Sequence, residues 1–427
     1  MKQTIYILFL TLCASRLLFG QPPIPAPAQD GPLAIGGGTA HLGNGEGIEI
    51  ALITFADGKI TRVDQASTKV DLSDHRQVSA KGKHIYPGFI APNTTLGIVE
   101  ISAVRATRDI AEVGSLNPNA RSIIAYNTDS QVTPTVRARG VLYAQVVPEG
   151  GRLSGQSSIV QLDAWNWEDA AVKMDDGHHL RWPRRRTYNW RQGQWRENKN
   201  YDTDVQAVED FLLQAKAYCE ADNIERNLRL SSACGLFNGE QTLFVHANLA
   251  PDIQQAVLMA KTFGVNMVLV GGAESYLIAD MLAEYETPII YGPTHDLPNT
   301  LDSDVDQTFK TPAILHKAGV EFCLSNEGFW QQRNLPFQAG SAVGYGLPYE
   351  AAVEALTLGT ARILGIDDQV GSLEEGKQAS LIITSGDALD MRTNQVEHAF
   401  ISGREISLDN KQDQLYRRFK TKYERQE

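Results

Sequence analysis

Short apolar runs broken by glycine open and close the chain. Residues 39–42, 49–55 and 60–63 are such runs, and Ala56-Asp57-Gly58-Lys59 between the last two has hairpin-turn chemistry. The same texture returns at 380–384 and 396–401, punctuated by Gly371, Gly376, Gly386 and Gly403. Two β-rich ends around a different middle predict a small β-sandwich domain built from both chain ends, residues 33–85 and 366–409.

The middle alternates. Residues 243–245, 267–270, 288–291 and 321–324 are short apolar strands. Between the first two, Ile253, Ala256, Val257, Ala260 and Phe263 recur at helical spacing. A second helix is predicted over 274–285, and a third carries Val353, Leu356, Ile363 and Leu364 on one face. Strands spaced by helices imply parallel βαβ units, and eight of them across residues 86–365 predict an α/β fold, a (β/α)8 TIM-type barrel. A doubly wound open sheet is the alternative, but no GxGxxG follows a strand to support it. Residues 165–204, rich in Trp, Arg and Asn, fit no period and are predicted to be an insertion. Residues 410–427 form a tail or helix.

The first 20 residues resemble a secretion signal, with Lys2, an apolar run over 5–12 and a cleavage site after Gly20; a lipoprotein anchor on Cys13 is the alternative. A periplasmic or otherwise exported protein follows, with Pro22, Pro23, Pro25, Pro27 and Pro32 marking a linker over 21–32. No later stretch is long and apolar enough for a membrane span. Beyond the signal, Cys219, Cys234 and Cys323 remain. They are either buried small residues or include one Cys219–Cys234 bridge.

A net charge of −12 argues against nucleic acid as a partner. The exception is local: Arg181, Arg184, Arg185, Arg186, Arg191 and Arg196 are interleaved with Trp182, Trp190 and Trp195. This segment reads as a loop that packs over a barrel mouth or meets an anionic or sugar-like partner. The stretch 144–158, rich in glycine and hydroxyls, either presents backbone N–H groups to an anion or makes a tight turn.

Tyr86-Pro87-Gly88-Phe89-Ile90 resembles the segment that ends the first barrel strand in the amidohydrolase superfamily, in its imidazolonepropionase-like branch. The stretch from Glu354-Ala355-Leu356-Thr357 through Ala361-Arg362-Ile363-Leu364-Gly365-Ile366 to Val370-Gly371-Ser372-Leu373-Glu374-Glu375-Gly376-Lys377 is similar to the family's closing segment. The resemblance implies a metal-dependent hydrolase of non-peptide C–N bonds. Its histidines and carboxylates at strand ends would hold divalent metal and ionise a bound water, and a strand-eight aspartate would move the proton.

Position by position, the ligand set is degenerate. Asn93 and Thr95 stand where the resemblance calls for two histidines, Gly271 where it calls for the strand-six histidine, and Asn326 where it calls for the catalytic aspartate. Asn326 cannot act as a base, because an amide does not titrate. His246 matches the strand-five histidine and is the one metal ligand to carry over. The bridging strand-four lysine or acid has no placeable counterpart.

His295 and Asp296 follow strand seven and either face the mouth or are solvated. His178 and His179 fall in the insertion as surface-loop residues, and Glu100 and Glu327 are spare carboxylates or surface charges. A catalytic zinc site has three protein ligands plus water. The expectation is therefore no cofactor or one divalent metal such as Zn, with metal hydrolysis lost or altered and a small molecule bound in the barrel mouth. The alternatives are an active enzyme with a rebuilt mononuclear site, and a regulatory or structural subunit, either a homo-oligomer or a partner of an active amidohydrolase.

Overall fold

The computed structural model describes residues 24–222, 225–298 and 302–425. The proposed signal, Cys13 included, lies outside the described residues. Two eight-stranded sheets organise the chain.

The first sheet is assembled from both ends of the chain. It runs β18 (Arg404–Glu405), β17 (Val396–Ile401), β16 (Leu381–Thr384), β5 (His84–Pro87), β1 (Leu33–His41), β2 (Gly47–Ala56), β3 (Lys59–Gln65), with β4 (Arg76–Ser79) also against β1. The β2–β3 turn falls at Asp57-Gly58, where both residues take positive φ, as the hairpin signal requires. In place of a sandwich of two separate sheets there is one sheet that curls over. Phe55 on β2 and Phe400 on β17 lie four strands apart in the sheet order, yet their rings meet edge-on at 5.3 Å. Ile35, Ile53, Ile60, Ile85, Leu381 and Ile383 fill the space between them.

The second sheet is a nearly closed barrel: β6 (Phe89–Thr94), β7 (Val141–Val146), β8 (Leu153–Gln161), β9 (Ala171–Arg181), β12 (Thr242–Ala247), β13 (Met267–Gly271), β14 (Ile289–Tyr291) and β15 (Phe322–Leu324). The gap between β15 and β6 is bridged by the segment at 355–356. The Leu324 N–H donates to the Ala355 carbonyl, and the Ile90 N–H to that of Leu356.

Two expectations need correcting here. β8 runs antiparallel to both neighbours, so the eight units are not all βα. A parallel crossover needs a dozen or more residues, whereas β7 and β8 are joined by only 147–152, where Gly150 and Gly151 both take positive φ. Of the two readings of 144–158, the tight turn is what the structure gives. Its N–H groups at Glu149 and Arg152 donate to the Ile110 and Ser115 carbonyls, not to an open cradle.

Second, residues 165–204 are not one insertion. They contain barrel strand β9 and, beyond it, a hairpin of β10 (Arg186–Asn189) and β11 (Gln194–Glu197). Trp190 and Trp195 are exposed on that hairpin, while Trp182 is buried and donates to the Tyr201 hydroxyl at 3.2 Å.

Cys219 and Cys234 form a disulfide, and Cys323 is free and buried. The helix expected over 274–285 begins as a 3-10 turn, Ser275–Ile278, before Ala279–Glu284. The one expected to carry Val353 to Leu364 is two helices, Tyr349–Glu354 and Leu358–Leu364, broken at Thr357, whose φ of −131° and ψ of −101° are not helical. A buried ion cluster ties barrel to curled sheet. Asp163 accepts from Arg137, from Arg404 on β18 and from the Ala26 N–H.

Candidate functional site at the barrel mouth

Barrel enzymes place their chemistry at the carboxyl ends of the strands. At that end, a cavity of about 70 Å³ is lined by Asn93, Thr94, Thr95, Val147, Glu149, Arg181, His246, Glu327 and Gly328. The structure thus brings together Asn93, Thr95 and His246. A neighbouring cavity of about 130 Å³ shares Glu327 and holds Asp296, Asn248, Glu274 and Tyr291.

Of the other sequence candidates, Glu327 lines this cavity and Asp296 the neighbouring one, while Asn326, His295 and Gly271 do not line the cavity. Asn326 is buried and both polar atoms of its amide are engaged: Nδ2 donates to the Gln331 carbonyl at 2.6 Å and Oδ1 accepts from Gln338 at 3.2 Å. His295 is exposed and bonded to Ser341. Gly271 has φ +93°, a backbone that strains any side chain, and a Cβ there would stand 2.5 Å from the Asn248 side-chain oxygen, which would have to shift.

Strand β9, fourth in the barrel sheet, ends at Arg181. Parallel pairing sets Arg181 of β9 beside His246 of β12. A guanidinium remains protonated and offers no lone pair to a metal. Arg181 forms no ion pair among the described residues, although Glu149 and Glu327 line the same cavity. Burial of the Glu327 carboxyl by the surrounding walls raises its pKa; Arg181 opposes this, while Glu149 and Asp296 add to it. The residue as a whole stays exposed at the rim, and its φ of +44° matches the left-handed backbone of Asn93, at +49°. Two non-glycine residues held in this costly region face one cavity, a pattern concentrated at functional sites.

Beneath the cavity lies a network that sequence reasoning missed. His178 and His179 are fully buried on β9, not on a surface loop. Asp176 accepts from the Ser157 hydroxyl at 2.6 Å and from Gln145 Nε2 at 2.8 Å, and Gln145 in turn accepts from the Asn93 N–H. With its proton committed to Asp176, Ser157 accepts from His179 Nε2–H at 2.9 Å. That fixes His179 Nδ1 as the acceptor for His246 Nε2–H, also at 2.9 Å.

Each link sets the next tautomer, so a buried aspartate is connected to the mouth, where His246 keeps a lone pair on Nδ1. Burial pushes Asp176 up to about 6 despite its two donors. Burial, with the nearby Arg181, pushes His246 down to about 3. His179 is likewise held well below the usual histidine range by burial and by His246. Both rings are therefore neutral at physiological pH.

The donor set does not fit a catalytic metal. His246 brings one imidazole whose Nε2 carries the proton it gives to His179, and the amide, hydroxyl and guanidinium groups around it are poor or impossible ligands, while the Glu149 and Glu327 carboxylates that share the cavity do not gather with it into the three-ligand set a catalytic zinc needs. Among the described residues, no three His, Cys, Asp or Glu side chains gather closely enough to hold an ion.

In sequence and fold the chain is similar to known amidohydrolases. The sequence model of the amidohydrolase family matches residues 250–406. An amidohydrolase from Thermotoga maritima MSB8 is similar in structure with a TM-score of 0.77 and 25% identity, over 87% of this chain and 99% of that one. An Xaa-Pro dipeptidase with methionine bound in its active site shares the fold at TM-score 0.56 and 14% identity, over 88% and 99%. The ochratoxinase of A. niger does so at 0.53 and 13%, over 88% and 96%. No curated protein matches the sequence.

Proposed function

We propose that this chain uses an amidohydrolase barrel to bind a small polar molecule, and that the metal-dependent hydrolysis associated with the fold is lost. The observation that carries this is Arg181 in register beside His246: a permanent cation occupies the place where a bridging metal ligand is called for. Gly271, where any side chain is strained, and Asn326, bonded away from the cavity, support the same reading. The ligand carries an anionic group that meets the unpaired guanidinium, since Arg binds carboxylate or phosphate in bidentate fashion. The Cys219–Cys234 bridge supports an exported location, because disulfides persist in oxidising compartments.

A panel of small amides and dipeptides tests this, assayed with added zinc and again with a chelator. The expected result is no chelator-sensitive turnover, with ligand-induced thermal stabilisation that disappears in Arg181→Met. Chelator-sensitive hydrolysis abolished by His246→Ala overturns it.

A further inference from the structure

The helix Lys411–Glu424 has no buried residue, and its side chains sort by chemistry around the axis. Leu415, Phe419 and Tyr423 follow one another at i, i+4 and i+8 and share a face, joined by Tyr416. All four are exposed, Tyr416 and Tyr423 by more than 60%. On a helical projection Lys411, Arg418 and Lys422 flank one side of this stripe and Lys420 the other, with Asp413 and Glu424 next beyond Lys420. Residues 411–425 hold six Lys and Arg against two acids, in a chain whose overall charge is −12.

The helix is held in place at its start. Asn410 caps it by accepting from the Gln412 and Asp413 N–H groups, and Gln412 accepts from the Thr135 hydroxyl beside the barrel. At its foot lies a groove of about 810 Å³ whose walls include Arg139, Arg333, Arg392, Trp330 and Met391. Met391 is exposed, and the Arg333 guanidinium lies over the Trp330 ring. Arginines from three separate segments thus line the groove, Arg392 paired with Asp390 and Asp413 sharing the wall.

We infer that this helix and the groove at its foot form a docking surface for an anionic lipid bilayer, with the helix lying in the plane of the headgroups. The apolar stripe enters the acyl boundary and the flanking Lys and Arg extend along it to reach lipid phosphates. A second copy of the chain is the poorer occupant. Four side chains fall far short of the roughly 800 Å² per partner that a stable dimer buries, whereas charge complementarity with an anionic surface needs no such area.

Co-sedimentation of the full chain with phosphatidylcholine vesicles, with and without phosphatidylglycerol, tests the inference. Binding is expected only to the anionic vesicles and is expected to fall with added salt. Because each cation near such a surface contributes about a fivefold gain in affinity, Arg418→Gln with Lys422→Gln is expected to weaken binding about 30-fold. Phe419→Ser with Leu415→Ser is expected to abolish it while leaving the melting temperature unchanged, as these residues are exposed. Equal binding to neutral vesicles, no binding to anionic ones, or a salt-sensitive dimer lost in Phe419→Ser overturns the inference.

Discussion

Replacing Ser157 by alanine removes the node that joins Asp176 to His179. Its hydroxyl gives one hydrogen bond and takes another, and both partners lie in the dry interior. Without it, the His179 Nε2–H has no acceptor and Asp176 keeps only Gln145. An orphaned buried polar group costs about 1–3 kcal/mol, so the pair is expected to cost about 3 kcal/mol. For a chain of this size that lowers the melting temperature by about 3 °C.

Ser154, on the same strand, supplies the control: it is equally buried, but its hydroxyl has no partner. Ser154→Ala makes the same change in volume and is expected to be neutral or slightly stabilising. The penalty at Ser157 also carries a pH signature. Asp176 sits at about 6, above its ordinary 3.8, so its native state favours the bound proton. That contribution is complete below the ordinary value and is lost as pH rises through about 6, up to about 3 kcal/mol in all.

Ser157 donates to the carboxylate and holds this rise in check, so its removal hurts most where Asp176 must be charged. Thermal melts of both variants at about pH 5 and about pH 8 are expected to show a larger Ser157→Ala penalty at the higher pH, with Ser154→Ala flat. Equal effects of the two variants, or a Ser157 penalty that does not change with pH, would refute the network.

The buried histidines act in the opposite direction. Burial lowers His178, His179 and His246, so the unfolded chain takes up protons that the native chain refuses. Stability is expected to fall as pH drops below about 6.5, by about 1.4 kcal/mol per pH unit for each ring, and His246→Gln is expected to make urea midpoints less acid-sensitive. Asp163→Asn breaks the ion cluster between barrel and curled sheet. It is expected to lose about 3–5 kcal/mol, read as a lower melting temperature, because it strands the buried Arg137 guanidinium. Gly271→His is expected to destabilise by more than about 2 kcal/mol and to confer no zinc affinity by calorimetry, since φ +93° strains any side chain and the Asn248 oxygen would have to shift.

What the sequence shows, and what it hides, follows from where the signal is apolar. The end strands alternate around hairpin glycines, and β12 to β15 are short apolar runs separated by helices. Their assembly into a β-domain from both chain ends and a parallel half-barrel could therefore be read from the pattern, although the β-domain expected as a sandwich is one curled sheet. β9 hides because it buries polarity. Lys173-Met174-Asp175-Asp176-Gly177-His178-His179 resembles a surface loop, yet it is a barrel strand whose aspartate and histidines are satisfied by Ser157, Gln145 and one another. The one available cue was the short Gly150-Gly151 connection, which cannot support a parallel crossover and so implies an antiparallel pair. Misplacing β9 also concealed Arg181. Without register, nothing in the sequence tells an arginine among many in a tryptophan-rich stretch from one set beside His246.

The proposed function requires that this barrel mouth hold a guanidinium beside a neutral imidazole in place of a metal centre. Elemental analysis of the purified protein, together with its His246→Ala and Arg181→Met variants, tests it most directly. The account expects far less than one divalent ion per chain in all three, unchanged by either substitution. One tightly held zinc or other divalent ion per chain, lost in His246→Ala, contradicts it.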